Sequence, residues 1–308
     1  MLLHFSSVAL AKEKDDIITE AGNLLRQMTI SPSQAPSNSA RYNATKRENK
    51  LFEPPKQRLS DSEKATLGRS LEKLKSAASE CGPKEPSVQT IANEILPAFL
   101  AKDTRLEDTH KLEYLDGQKP DLSLFAVSNC NGIHCVTVQH IVELKFFNTG
   151  KSSNTGNFSN EEKGQGIKYL ERIFKCQPHR VEAHCIMLSN ISFMLMVGRM
   201  EESGFKVIEF PTTTLDSKDA VEILFNLFQS MTISPSLFPE DQLPKQTYLK
   251  LETRTNNSVV YKSGKHFIKR ILETDAWEDE VRILDLLHGV ENIVQIVKRY
   301  NDPLPHCV

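Results

Sequence analysis

The sequence predicts an α+β fold, a central mixed sheet flanked by helices with a smaller unit behind it, and three observations carry that prediction. Segments of helical period bracket a stretch between 122 and 210 in which apolar and β-branched residues mostly run as strands. Inside it, Asn131-Gly132 is a hairpin signal. The composition is that of an ordinary globular chain, with 39% hydrophobic and 25% charged residues over a length of 308, which excludes collagen, coiled coil and wholesale disorder.

The elements follow in order. Ile17, Ile18, Ala21, Leu24, Leu25 and Met28 recur at helical spacing and predict an amphipathic helix over 14–28. From Ser31 to Arg58 the chain is rich in Ser, Pro, Asn, Lys and Arg without apolar period, which predicts a disordered linker, so residues 1–59 form a helix plus linker. Ser60 with Glu63 is a capping box opening a helix along Leu67, Leu71, Leu74 and Ala78, and Gly82-Pro83 stops it. A second helix starts near Ser87, buries Val88, Ile91 and Ile95, and is bent or shortened by Pro97.

Strands are then expected at Leu122–Val127 and Ile133–Phe147, followed by a polar loop from Asn148 to Asn160. A helix over Glu161–Phe174 buries Ile167, Leu170 and Phe174. Strands at Glu182–Ser189, Ile191–Val197 and Phe205–Phe210 and a helix over Ser217–Gln229 complete a domain spanning 60–235. Pro235, Pro239 and Pro244 mark a boundary. Behind it, 245–308 carries strands at Ser258–Lys262 and His266–Ile271, a helix over Trp277–His288 and a strand at Ile293–Tyr300. The hexapeptide Met28–Ser33 recurs at Met231–Ser236; it is too short to define a repeat architecture.

Charge and cysteine usage narrow the function classes. With 38 basic and 40 acidic residues the net charge is -2, so the chain is neither a polybasic nucleic-acid binder nor an acidic tail protein. No apolar run approaches the roughly 18 residues of a membrane helix, so no integral membrane protein is expected. Met1 to Ala11 include an apolar stretch without the positive n-region of a secretory signal. Six cysteines without CxxC spacing point to reduced thiols. A cytoplasmic or nuclear location is expected, a secreted effector being the alternative. His134 beside Cys130 and Cys135 reads as hairpin packing rather than a metal cluster. His134 and His140 are expected on one strand face, and these two, His179 and His184 read as satisfied histidines, none paired with a nucleophile.

The strongest constellation is Lys119-Pro120-Asp121, then Glu143-Leu144-Lys145, then Gln165 and Tyr169. Residues i and i+2 of a strand share a face, so Glu143 and Lys145 project together toward Asp121 from the neighbouring strand. Two such carboxylates suit Mg²⁺ or Mn²⁺, which take one or two carboxylates plus water and phosphate oxygens. Lys145 adds a cation near developing charge. Gln165 and Tyr169, four apart on a helix, share a face, and Gly164 and Gly166 let a backbone approach closely.

These residues resemble the PD-(D/E)xK nuclease superfamily: Pro120-Asp121, Glu143-x-Lys145 and Gln165-x-x-x-Tyr169 match its motif in order. The resemblance implies a restriction-endonuclease-like sheet, Asp121 and Glu143 as metal ligands, Lys145 as catalytic cation, Gln165 and Tyr169 in support, and Glu94 as a further metal ligand. The bland account of Glu143 and Lys145 is a surface ion pair.

The C-terminal unit resembles something else. Val259 to Tyr261, then His266-Phe-Ile-Lys269, then Glu280 opening an apolar helix, are similar to a protein-kinase amino-terminal lobe, implying a Lys269–Glu280 pair at ATP phosphates. The glycine-rich loop is missing, and the chain stops at Val308 without an HRD or DFG segment, so neither phosphotransfer nor ATP is expected of it. The order of the two units resembles the fungal-type protein kinase family and Crinkler-type effectors, cut short inside the kinase region. Three functions follow as expectations: a Mg²⁺-dependent nuclease-like phosphodiesterase acting on nucleic acid, a non-catalytic regulatory or interaction protein whose nuclease-like core and partial kinase lobe bind a protein partner, or a fragment of a longer fungal-type serine/threonine protein kinase. Oligomeric state stays open.

Overall fold

The computed structural model describes residues 36–49, 58–76, 85–128, 132–147, 156–177, 179–201, 204–231, 233, 249–254, 258–263, 266–271, 274–286 and 288. The helix expected over 14–28 and the strand over 293–300 lie outside them. Among the described residues the fold is α+β: six α-helices, a mixed eight-stranded sheet and a separate three-stranded sheet. No helix among them is long and apolar enough to cross a membrane.

The first departure is at the N-terminal side. The expected linker contains α1 (Asn38–Ala44) and β1 (Arg47–Asn49), and β1 pairs in parallel with a strand more than 150 residues later. Tertiary contact overrides composition here. Tyr42 is buried against the core, and Arg41 is salt-bridged to Glu171. The segment has few apolar residues of its own and is ordered by what it packs on.

The capping box opens α2 (Asp61–Ser76): the Ser60 N–H donates to Glu63 Oε2 at 2.8 Å and the Glu63 N–H returns to Ser60 Oγ at 3.3 Å. Leu67, Leu71 and Leu74 are its buried stripe. Next, α3 (Glu85–Ile95) tightens into a 3₁₀ turn, Leu96–Phe99, at Pro97, which has no N–H for the α-helical ladder.

The sheet runs β2 (Thr104–Asp108), β3 (Leu122–Ala126), β4 (Val138–Lys145), α4 (Asn160–Cys176), β5 (Glu182–Ser189), β6 (Ser192–Glu201), β7 (Gly204–Glu209), β8 (Thr213–Thr214), then α5 (Ala220–Gln229). Spatial order is β1-β7-β6-β5-β4-β3-β2, with β8 on β6. β4 and β5 pair in parallel across the α4 crossover, while β2–β3–β4 and β5–β6–β7 are antiparallel. Strand β2 was not expected, since Thr104–Asp108 alternates charge with a single leucine and reads as loop. The long strand expected from Ile133 begins only at Val138, because Cys135–Thr137 form a turn closed on the His134 carbonyl. His134 therefore shares no strand face with His140; its Nδ1 accepts the Leu249 N–H at 3.3 Å.

The sheet separates two apolar cores. Ile141, Cys185, Met187, Met194 and Met196 pack toward α4 and α1, whereas Val142, Leu144, Ile186, Leu188 and Leu195 pack toward α2, α3 and α5. Strand alternation thus puts Glu143 and Lys145 on the α4 side. The C-terminal unit, β9 (Lys250–Arg254), β10 (Ser258–Ser263) and β11 (His266–Ile271), is an antiparallel sheet ordered β11-β10-β9 and followed by α6 (Thr274–Leu286). Leu249, Leu251, Val259 and Tyr261 join the α4-side core, and the Tyr261 hydroxyl donates to the Cys176 carbonyl at the end of α4.

Candidate active site

The approach to Pro120-Asp121 is a tight turn, Leu115 to Gln118, with Asp116 at φ 48° and Gly117 at φ 76°. Asp-Gly is the pair that tolerates left-handed backbone at both central positions. Asp116 then anchors the turn to α4 through Arg172 at 2.5 Å and Lys175 at 3.3 Å. The far side is held by Thr109, whose N–H donates to the Asp121 carbonyl at 3.0 Å and whose hydroxyl donates to the Pro120 carbonyl at 2.7 Å.

At the mouth of the site the two strands are unequal. β3 stops pairing with β4 at Leu122–Val142, so β4 runs on past it. The Leu144 N–H, which has no strand partner there, donates to Asp121 Oδ2 at 2.7 Å. That bond fixes Asp121 beside the β4 end on which Glu143 and Lys145 stand.

Glu143 is 1% exposed. Its Oε1 accepts from Lys145 Nζ at 2.7 Å, and its Oε2 is buried with no hydrogen-bond donor. Such an unmet acceptor costs about 1–3 kcal/mol when neutral and more when ionised. Burial, then the Asp121 carboxylate, push the Glu143 carboxyl up to about 8, with Lys145 opposing both. Lys145 also donates to Gln165 Oε1 at 3.3 Å, Gln165 Nε2 donates to the Tyr169 oxygen at 2.7 Å, and the Tyr169 hydroxyl reaches the Lys119 carbonyl at 3.4 Å. Burial raises the Tyr169 phenol well above its ordinary range, so it stays a neutral donor.

All five residues of the central constellation thus meet on one sheet face. Glu94 does not join them: it is exposed and salt-bridged to Lys73 of α2 at 2.5 Å. The residue of α3 that reaches the site is Gln89, whose Nε2 donates to the Asp121 carbonyl at 3.2 Å. Five residues of helix rotate about 500°, leaving Glu94 about 140° from Gln89 around the axis. Gln89, Thr109 and the Asp116-Gly117 turn went unnoticed in the sequence; only the turn carried a local signal.

The helix carrying Gln165 and Tyr169 is seated by its glycines. A Cβ on Gly164 would lie 1.8 Å from the Asn38 carbonyl oxygen, and one on Gly166 would lie 2.3 Å from Met196 Cε. The backbone that approaches closely is this chain's own α1. A capping box, Ser159 with Glu162, starts the helix.

Chemically, the arrangement offers two adjacent acidic oxygen donors, one of them with a buried unmet lone pair, and a cation held at 2.7 Å. Asp121 and Glu143 fit a hard divalent ion that keeps several waters. No cluster of three or more His, Cys, Asp or Glu side chains poised for a metal occurs among the described residues. In the C-terminal unit Lys269 and Glu280 are joined at 2.5 Å between β11 and α6.

Residues 90–180 match a family model described as a domain of unknown function, DUF6826. The matched segment runs from α3 through α4 and contains Asp121, Glu143, Lys145, Gln165 and Tyr169, but neither Lys269 nor Glu280. No curated protein matches the chain.

Proposed function

We propose that this chain is a divalent-metal-dependent phosphodiesterase that acts on nucleic acid. The observation that supports this best is Glu143, a buried carboxyl with an unmet Oε2, set against Asp121 and tied to Lys145. A second carboxylate beside a buried ion pair costs electrostatic energy, which a bound divalent ion would offset. Asp121 and Glu143 would hold Mg²⁺ or Mn²⁺, which when bound activates water and stabilises a leaving oxygen. Lys145 donates to a phosphoryl oxygen as charge develops on it, and Gln165 keeps the ammonium aimed. Tyr169 orients Gln165 and ties it to the Lys119 carbonyl.

Calorimetric titration of Mg²⁺ and Mn²⁺ into the parent and into an Asp121→Asn, Glu143→Gln double variant, with cleavage assays on single- and double-stranded DNA and RNA, tests this. Metal-dependent cleavage that the double variant loses together with metal binding is the expected result. A folded parent that binds neither metal overturns it and leaves a nucleic-acid or protein-binding module.

A second reading attaches to the C-terminal unit, where the Lys269–Glu280 pair favours a ligand- or partner-binding lobe resembling part of a kinase. Thermal-shift assays with MgATP on the parent and Lys269→Met check it. A shift confined to the parent supports a nucleotide-binding lobe, and no shift in either leaves a protein-contact surface.

A further inference from the structure

The rim that carries Asp121 continues across the sheet. β2 pairs with β3 as far as Asp108 opposite Leu122, and the Thr109 N–H to the Asp121 carbonyl extends that pairing one step. His110 follows, so it stands at the same end of the sheet as Asp121 and one strand farther from Glu143, adjacent strands being about 4.8 Å apart. Leu122 belongs to the core on the α3 side, which places Asp108 on that side too, while Asp121, one residue earlier, takes the α4 side. The end of β3 therefore lies between Asp121 and the Asp108–His110 pair.

Several donors hold Asp108. Gln89 Nε2 donates to its Oδ1 at 3.1 Å, Asn93 Nδ2 to its Oδ2 at 2.8 Å and the His110 N–H to its Oδ1 at 3.4 Å, and the His110 ring adds its Nδ1. The same Gln89 nitrogen reaches the Asp121 carbonyl at 3.2 Å, so Asp108 Oδ1 and that carbonyl oxygen are no farther apart than the two bonds laid end to end. Burial works against the charge on Asp108, yet the hydrogen bonds from His110, Asn93 and Gln89 together outweigh it and keep the carboxyl below its ordinary range. An ionised Asp108 requires a proton on His110 Nδ1. Nε2, the ring's other nitrogen, has no partner among the described residues, and the side chain is 37% exposed.

Gln89, Asn93 and the main chain already satisfy Asp108, so what the imidazole adds is an oriented, outward nitrogen. With a second proton on Nε2 the ring presents one N⁺–H to solvent, its charge countered from behind by Asp108. A phosphate oxygen is the acceptor complementary to it.

We propose that His110 binds a backbone phosphate next to the one held at Asp121 and Glu143, so that the substrate is a strand of nucleic acid crossing the end of β3 rather than an isolated phosphodiester. This rests on the phosphodiesterase function proposed for the Asp121–Glu143–Lys145 centre. The step from Asp121 through Gln89 and Asp108 to the ring is comparable with the step between successive phosphates of a strand. Asp108, Gln89 and Asn93 act through the imidazole and are positioning residues.

Fluorescence anisotropy of a labelled single-stranded oligonucleotide, DNA and RNA in turn, titrated with the full chain at about pH 6 in EDTA, measures binding without cleavage. His110→Ala should weaken affinity about 10-fold and reduce the slope of log affinity against log salt by about 0.7, the share of one phosphate contact on a single strand. His110→Lys keeps a cation at the rim and should restore that slope; a folded His110→Lys that behaves like His110→Ala overturns the phosphate contact. In metal-dependent cleavage the loss should fall on KM rather than kcat. Equal affinity and slope in the parent and a folded His110→Ala overturn the proposal, and cleavage by that parent leaves the phosphodiesterase function standing. A His110-dependent slope in a parent that cleaves nothing supports the phosphate contact and removes the phosphodiesterase function. A parent that binds neither DNA nor RNA overturns both.

Discussion

Two lysine–glutamate pairs in this chain have nearly the same length and unlike surroundings. Lys145 and Glu143 meet at 2.7 Å with side chains 15% and 2% exposed; Lys269 and Glu280 meet at 2.5 Å with side chains 40% and 33% exposed. The first also has a neighbouring carboxylate, a buried acceptor without a donor and a carboxyl displaced to about 8. Distance alone therefore says little about what an ion pair is for. Burial, and what else is forced into the same space, separates a site under electrostatic stress from a contact that water screens.

The sharpest way to break this contrast is to remove each lysine in turn. Lys145→Ala should lower metal-dependent cleavage by about 100–1,000-fold, the range for losing one preorganised donor at developing charge. Single-turnover rates with saturating metal measure it, and circular dichroism verifies the fold. Unchanged cleavage would return Lys145 to the same class as Lys269.

pH separates the pairs next. The Glu143 carboxyl is raised from its ordinary 4.5 to about 8, so between those values the folded state keeps a proton that the unfolded chain has lost. Its contribution is fully present below about 4.5 and is lost as pH rises through about 8, with a slope of at most about 1.4 kcal/mol per pH unit. Urea midpoints from pH 5 to 9 should fall accordingly, and Glu143→Gln should remove that fall.

Gly164→Ala tests how the buried pair is kept in place without touching it. The new methyl meets a main-chain carbonyl, so α1 and α4 must part; about 1–3 kcal/mol of destabilisation is expected, read as a lower melting temperature. If α4 positions Gln165, the variant's residual cleavage at permissive temperature drops as well.

How much of this was legible depends on where the signal is local. Glu143, Lys145, Gln165 and Tyr169 were readable because strand and helix periods put them on common faces, and Ser60 with Glu63 announced its helix. α1 and β1 were not, since α1 is held by α4 residues 122 to 130 positions away and β1 by its pairing with β7. Strand β2 failed for a related reason: an edge strand with one apolar face residue looks like loop until its partner is known. The Glu94 assignment failed on phase, because locating a helix near the site does not say which side faces it. Gln89, which does face it, carries no charge to draw notice.

The smallest predicted effect is the one that most tests the comparison. Lys269→Ala removes a pair whose partners already have water, so the stability change should stay within about 0.5 kcal/mol and cleavage should not move. Chemical denaturation at low and high salt measures it, and the small difference should shrink further with salt, as a shorter screening length weakens the attraction between exposed charges. A loss of several kcal/mol would mean that the pair ties β11 to α6 more firmly than its exposure implies. The C-terminal unit would then need an account in which Lys269 is held for a ligand rather than left to the solvent.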